Sequence, residues 1–71
     1  MQNDWPIGRY ITALDNGLAI VRARSSNHQP AYAVHLTRGA TIKVVAQDIT
    51  DRGRAMDTFR KASLLVEAGR L

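Results

Sequence analysis

The stretch YITALDNGLAIVRAR, residues 10–24, decides the fold, because apolar residues recur at alternate positions on both sides of a short loop. That loop is residues 15–17 (DNG), and a glycine at its third position can adopt the left-handed backbone of a three-residue hairpin turn. In this register Leu14 lies opposite Leu18. The sequence therefore predicts a β-hairpin at this point.

Side chains alternate across a strand, so the register assigns every residue of the hairpin to one face. One face is wholly apolar and is expected to be buried; its residues are Ile11, Ala13, Ala19, Val21 and Ala23. The opposite face carries Tyr10, Thr12, Arg22 and Arg24. A two-residue turn at residues 16–17 would instead bring the arginines of the second strand beside Ile11. The three-residue register is preferred because it keeps charge out of the core.

A second loop, residues 37–39 (TRG), interrupts another alternating stretch. The same type of connection pairs Leu36 with Ala40 and Val34 with Ile42. The residues expected in the core are Tyr32, Val34, Leu36, Ile42 and Val44. Those expected to face outward are Ala33, His35, Thr41, Lys43 and Val45. A slip of one residue in this pairing would reverse every side chain.

Beyond the second hairpin the apolar period lengthens to about 3.6 residues, which indicates a helix. Asp48 and Thr50 are candidate N-caps, and Asp51 suits the positive end of the helix dipole. Gly69 is a natural C-terminal stop. The stripe expected to face the sheet consists of Ala55, Met56, Phe59, Ala62, Ser63 and Val66.

These elements predict one α+β domain, a four-stranded antiparallel β-meander of two hairpins that is packed on one face by a single C-terminal α-helix (ββββα). We expect residues 1–7 to form an N-terminal arm, residues 8–46 the sheet and residues 50–68 the helix. Trp5 in the arm is expected to cap one end of the core. The sheet would contribute alanines to the core and the helix its bulky residues.

Composition narrows the class of protein. The 71 residues include no cysteine, so a disulfide-stabilised secreted fold is excluded and a reducing cytoplasm is the expected setting. No apolar run reaches the roughly 18 residues of a membrane span, and the N-terminus has no signal-peptide pattern, so neither a span nor export is expected.

No catalytic, cofactor or metal motif is recognisable, and we expect a non-enzymatic protein without a cofactor. Ser25 and His28 are close in sequence, but they occupy a polar loop that lacks an acidic residue to orient the base. Asp48, Asp51 and Asp57 are not embedded in a calcium-loop pattern.

The charge is basic, with ten Lys and Arg residues against six Asp and Glu, for a net charge of +4. The predicted register places most of the candidate cations on the face of the sheet that the helix leaves uncovered. The candidate nucleic-acid contacts are Arg22, Arg24, Arg38, Lys43, Tyr10 and His35. Cations can bind phosphates and an aromatic ring can stack on bases, so this face is expected to contact DNA or RNA. A purely solubilising role for the same charges is the alternative.

An apolar group on the same predicted face favours a different partner. Its members are Leu14, Leu18, Ile20 and Val45. Exposed apolar clusters often mark protein interfaces. The alternative function is therefore a small inhibitor or adaptor of the phage or mobile-element type, with arginines as a rim. A homodimer through this face is a further alternative.

Overall fold

The computed structural model describes residues 5–14 and 16–71; residues 1–4 of the predicted arm and Asp15 of the first turn lie outside this part. Its elements are β1 (Tyr10–Ala13), β2 (Leu18–Arg24), β3 (Pro30–Arg38), β4 (Thr41–Ile49) and α1 (Arg52–Glu67). The strands form one antiparallel sheet in the order β1-β2-β3-β4. The predicted ββββα fold is confirmed, with β4 continuing past residue 46.

The first hairpin has the predicted register next to its turn. Gly17 has a φ of +93°, and Ala13 pairs with Ala19. Farther from the turn, an irregularity in β1 pairs Tyr10 with Val21, whereas the regular register would pair it with Arg22.

The pairing of β2 with β3 decides which side of the sheet α1 covers. Leu18 pairs with Leu36 and Ile20 with Val34, and all four side chains are at most 1% exposed. They form the core together with Ala55, Phe59 and Ala62 of α1.

The predicted core face of the first hairpin is therefore wrong in part. Ala19 and Val21 are buried as expected, at 4% exposed each, and Ile11 packs against the core, but Ala19 and Val21 do not face α1. Leu18 and Ile20 lie under α1, whereas Ala19 and Val21 alternate to the other face. The reason is the amount of apolar surface, since Leu18 and Ile20 together carry four more side-chain carbons than Ala19 and Val21.

The second hairpin is displaced by three residues from the predicted register, because Leu36 pairs with Lys43 and not with Ala40. Arg38 pairs with Thr41, so the turn is Gly39 and Ala40, with Gly39 at a φ of +59°. A positive φ at the first of two loop residues is typical of a type II′ hairpin turn.

Because of this shift, the residues of β4 next to the turn face the opposite sides of the sheet from those predicted. Lys43 pairs with Leu36 and so lies on the helix side, while Val44 pairs with His35 and Ile42 with Thr37 on the opposite side. The prediction that Ile42 and Val44 are buried is wrong, because Ile42 is 58% and Val44 50% exposed.

Two irregularities then return β4 to the core. The register moves from Val44 opposite His35 to Ala46 opposite Val34, and again to Ile49 opposite Tyr32. Asp48, in the second irregularity, has a φ of +60°. As in other β-bulges, the extra residues bend the strand. Apolar residues of this half of β4, Val45, Ala46 and Ile49, consequently pack against the core.

Helix α1 has well-formed ends. Its N-cap is Asp51, whose Oδ2 accepts a hydrogen bond from the Arg54 amide at 3.0 Å. At the other end Gly69 has a φ of +74°, and the Gly69 and Arg70 amides donate to the carbonyls of Val66 and Leu65. This is the hydrogen-bond pattern of a Schellman motif, and it confirms the predicted stop.

The buried stripe of α1 is as predicted, but its partners are not. Ala55 and Ala62 are buried with Phe59 against the large aliphatic side chains of β2 and β3. The bulky residues thus come mainly from the sheet, and small helix residues let the two layers approach. The alanines of β2 and β3 lie on the other side of the sheet.

Candidate functional site

The face of the sheet opposite α1, called the open face here, is defined by strand register. Its residues are Tyr10, Ala13, Ala19, Val21, Ala23, Ala31, Ala33, His35, Thr37, Ile42 and Val44. None of these residues is Lys, Arg, Asp or Glu; Gln47 and Asp48 of β4 lie in the second irregularity and have no assigned cross-strand partner. The described elements contribute one helix, which packs on the other side of the sheet. The open face is therefore an uncharged and mostly apolar surface.

The relief of the open face is a shallow trough. Its floor lies on the two central strands, where Ala19, Val21, Ala31 and Ala33 are each at most 4% exposed. Larger side chains on the edge strands stand above this floor. Tyr10 on β1 is 57% exposed, and Ile42 and Val44 on β4 are similarly accessible.

The two raised groups lie at diagonally opposite corners of the trough. Tyr10 belongs to the cross-strand row of Val21 and Ala33, whereas Ile42 belongs to the row of Thr37. Ala33 and Thr37 are four residues apart on β3, so the rows are about 13 Å apart along the strand. Three strand spacings of about 4.8 Å separate β1 from β4.

Two of the predicted nucleic-acid contacts lie on the open face. They are Tyr10, which is exposed, and His35, which is half-buried between Ala19 and Val44. The four predicted cations lie elsewhere.

Arg22 and Arg24 are on the helix side of the sheet, which corrects their predicted placement. Arg22 pairs with Tyr32, and its guanidinium carbon lies 5.5 Å from the centroid of the Trp5 ring. The Trp5 Nε1 donates a hydrogen bond of 2.7 Å to the Ala23 carbonyl, and the Trp5 ring packs edge-on against Tyr32 at 5.4 Å. The sheet tolerates Arg22 on this side because an aromatic ring packs against its guanidinium.

The loop after β2 uses its polar residues to form a turn. The Ser25 Oγ accepts hydrogen bonds from the Asn27 and Gln29 amides, each at 3.2 Å. Arg24 Nη1 donates to the His28 carbonyl at 2.8 Å. The loop hydroxyl is thus engaged with backbone groups, as in other serine-containing turns.

Four arginines lie toward one end of the molecule. Arg22 lies opposite Tyr32, which lies opposite Ile49, and α1 begins three residues after Ile49. The group, called the arginine end here, consists of Arg22, Arg24, Arg52 and Arg54.

Arg38 and Lys43 lie at the opposite end of the helix side. Lys43 pairs with Leu36, four residues from the partner of Arg22 on β3, a distance of about 13 Å along the strand. Arg38 Nη2 donates to the Leu71 carbonyl. A cleft of about 150 Å³ lies beside this contact; its lining is Leu36, Arg38, Thr41, Lys43 and Leu71. The predicted single basic patch is therefore divided in two.

The predicted apolar anchors also change position. Leu18 and Ile20 are completely enclosed under α1, so they cannot anchor a partner, and Val45 packs partly against the core. Only Leu14, beside the first turn, is exposed, at 42%. The exposed apolar residues that the sequence reasoning missed are Ile42 and Val44. Alanines at alternate positions of both β2 and β3 are the sequence signal that could have identified the open face.

A polar cleft of about 170 Å³ lies where β4 meets α1, lined by Gln47, Asp48, Ile49, Thr50, Arg54 and Thr58. Within residues 5–14 and 16–71, no three His, Asp or Glu side chains are grouped to bind a metal ion.

None of the helices in the described part of the chain has the length and apolar character needed to cross a membrane. Comparisons of the chain with protein-family models, with curated protein sequences and with solved structures find no match.

Proposed function

We propose that this protein is a non-enzymatic binding module that docks a protein partner through its open face. One observation carries the proposal, namely that the open face is an uncharged trough with an alanine floor and raised apolar corners at Tyr10 and Ile42. Exposed apolar side chains on an uncharged face favour protein contacts. The protein would act as an inhibitor or adaptor by covering the partner's surface.

The uncharged lining of the trough determines which class of partner it can bind. An apolar side chain or helix from a partner would cover the exposed side chains of Tyr10, Ile42 and Val44 without leaving a buried charge unpaired. A phosphate backbone would find no Lys or Arg side chain among the residues of the open face, and affinity for nucleic acid depends on such cations. The open face therefore favours an apolar protein surface over a nucleic acid.

The test is capture of a partner by the tagged protein from a nuclease-treated extract of the source cells, followed by mass spectrometry. Val44→Lys places a charge on the open face, and Leu64→Lys is its matched control on α1, where Leu64 is 67% exposed. We expect the wild type and Leu64→Lys to retain the same protein and Val44→Lys to lose at least about 90% of it. Equal retention by both variants would reject the open face as the docking surface.

A second candidate function is nucleic-acid binding at the arginine end. The observation that favours it is that the four arginines of the arginine end lie toward the same end of the molecule, with the Arg22 guanidinium carbon 5.5 Å from the centroid of the Trp5 ring. Grouped cations near an aromatic ring can contact phosphates and bases of a single strand. This moves the predicted contact from the open face to one end of the helix side.

Salt-dependent binding to a fluorescent single-stranded oligonucleotide tests this candidate. Arg22→Ala/Arg24→Ala should weaken binding about tenfold or more and should reduce the slope of log affinity against log salt by about two. Arg38→Ala/Lys43→Ala removes the same charge at the other end and should have a smaller effect. Circular dichroism of both variants controls for unfolding. Salt-independent binding, or equal losses in the two variants, would reject the candidate.

A further inference from the structure

We infer that the cleft beside the second hairpin binds a small carboxylate that carries an apolar group of about six carbon atoms. This cleft has a volume of about 150 Å³, and its lining includes the cations Arg38 and Lys43. It lies on the helix side of the sheet, away from the open face, so the site is separate from the proposed docking surface. The charge, the walls and the size of the cleft carry the inference.

Strand register brings the lining residues together. Arg38 pairs with Thr41, and Leu36 pairs with Lys43. Leu36 lies under α1, and side chains two residues apart on a strand share a face, so all four project on the helix side. Beyond the end of α1, the half-buried Leu71 packs against the core and completes the lining.

The lining carries two cationic side chains and no acidic one. Arg38 and Lys43 are diagonal neighbours on adjacent strands, about 7–8 Å apart, so the ends of both long side chains can reach one ligand. Among residues 5–14 and 16–71, the ion pairs between side chains are those that Asp57 makes with Arg60 and Lys61. Neither cation of the cleft is therefore paired with a carboxylate side chain of the described chain, and the charge of the cleft favours an anion.

The hydrogen-bond donors of the cleft suit a carboxylate. Arg38 Nη2 donates to the Leu71 carbonyl, and a guanidinium has five N–H donors, so this bond leaves others for a ligand. The Lys43 ammonium adds three more donors. Carboxylate oxygens accept strong charge-assisted bonds from both kinds of donor. One carboxylate can thus be bound by Lys43 and by the remaining N–H groups of Arg38.

The walls of the cleft require an apolar group on the same ligand. Leu36 forms the floor and is only 1% exposed, whereas Arg38, Thr41 and Lys43 are exposed, so a ligand enters between these exposed residues. The side chain of Leu71 and the methylene stems of the two cations provide apolar walls. A bare inorganic anion would leave these walls in contact with water. A cavity of about 150 Å³ accepts a benzene molecule, which sets the size of the apolar group at about six carbons.

An NMR titration of the ¹⁵N-labelled full chain with hexanoate tests the inference. We expect the backbone amides of Thr41, Lys43 and Leu71 to shift in a saturable way with a Kd on the order of 1 mM, the affinity expected of a ligand of about eight heavy atoms. Hexanamide keeps the apolar group without the charge, and inorganic phosphate keeps the charge without the apolar group. Each should bind at least about tenfold more weakly than hexanoate.

Two variants assign the binding to the cleft. Lys43→Gln removes one of its cations and should weaken hexanoate binding at least about fivefold. Lys61→Gln removes the same charge from the exposed side of α1 and should bind hexanoate as the wild type does. The amide spectra of both variants also show that the fold is retained.

Three results would overturn the inference: no saturable shift of the cleft amides up to about 20 mM hexanoate, binding of hexanamide or phosphate as tight as that of hexanoate, or equal losses in the two variants. N-acetyl-leucine, which resembles the last residue of a peptide, separates two sources of the ligand. Tighter binding of N-acetyl-leucine than of hexanoate assigns the cleft to peptide ends, and tighter binding of hexanoate assigns it to free acids. Either order supports a carboxylate site.

Discussion

At the scale of single residues, Gly17 has the narrowest tolerance. Its φ of +93° is unfavourable for any residue with a Cβ, and its amide and carbonyl bond to Leu14 and Thr37. A Cβ at this position would overlap the carbonyl oxygen of Thr37, a backbone atom that the sheet holds in place. Backbone conformation and steric overlap therefore act together at one position.

We predict that Gly17→Ala lowers the free energy of unfolding by about 3 kcal/mol, through left-handed strain and the displacement of β3. Gly69→Ala is the matched control, because Gly69 has a φ of +74° with nothing within 4 Å of an added Cβ. That control should cost only about 1 kcal/mol. Urea denaturation measures both values, and equal losses would contradict the close approach of the first turn to β3.

The residues of β2 explain the main error of sequence reasoning. Its alternation offers two faces, one of alanines and valine and one with Leu18, Ile20 and two arginines. The prediction treated arginine in the core as unfavourable and therefore chose the face of alanines and valine as the buried one. Arg22, however, lies toward the end of the strand and stacks on Trp5, so its charge costs the core little. The order of apolar and polar residues in a strand does not indicate which part of that strand a helix covers.

At the scale of elements, the C-terminal end and the buried stripe of α1 were predictable. The 3.6-residue period and the stop at Gly69 depend on local sequence, and both agree with the structure. The N-cap is Asp51, one residue after the earlier candidate Thr50. Local hydrogen bonding of this kind can be inferred from the residues themselves.

The first turn of α1 contains a correctable weakness at Gly53. An added Cβ would lie 3.3 Å from Asp51 Oδ2, the end of a side chain that can adjust. We predict that Gly53→Ala raises the free energy of unfolding by about 0.5 kcal/mol, because alanine favours the helix. The midpoint of thermal unfolding should then rise by about 2–4 °C. A lower midpoint would indicate that the Asp51 cap cannot adjust.

Strand β4 was the least predictable element. The sequence is compatible both with a two-residue turn that begins at Gly39 and with a three-residue turn that ends there. The two turns place Lys43 and Val44 on opposite faces of the sheet from each other's assignment, so the choice of turn decides which of the two faces α1. The irregularities near Val45 and Asp48 then change the face again. Bulges respond to the packing of α1 on the whole sheet, so the local alternation of β4 could not locate them.

At the scale of the whole molecule, the fold class was predictable and the binding surface was not. Four strands and a terminal helix follow from turns and periodicity along the chain. The residues that form the open face are decided by the pairing of β2 with β3. The loop between these two strands does not fix that pairing. That pairing aligns Ala19 with His35 and Val21 with Ala33, and it separates Arg22 from the open face.

The most direct test of this account is the thiol reactivity of Val44→Cys, since the chain has no other cysteine. Val44 is 50% exposed, whereas Val34 is completely buried under α1, so Val34→Cys is the matched control. The measurement uses about 1 µM protein, so that self-association does not cover the thiol. The account predicts that the thiol of Val44→Cys reacts with a disulfide reagent about as fast as an unfolded thiol, and that Val34→Cys reacts at least about a hundredfold more slowly. Equal protection of both thiols would place Val44 beneath the helix and contradict the open face.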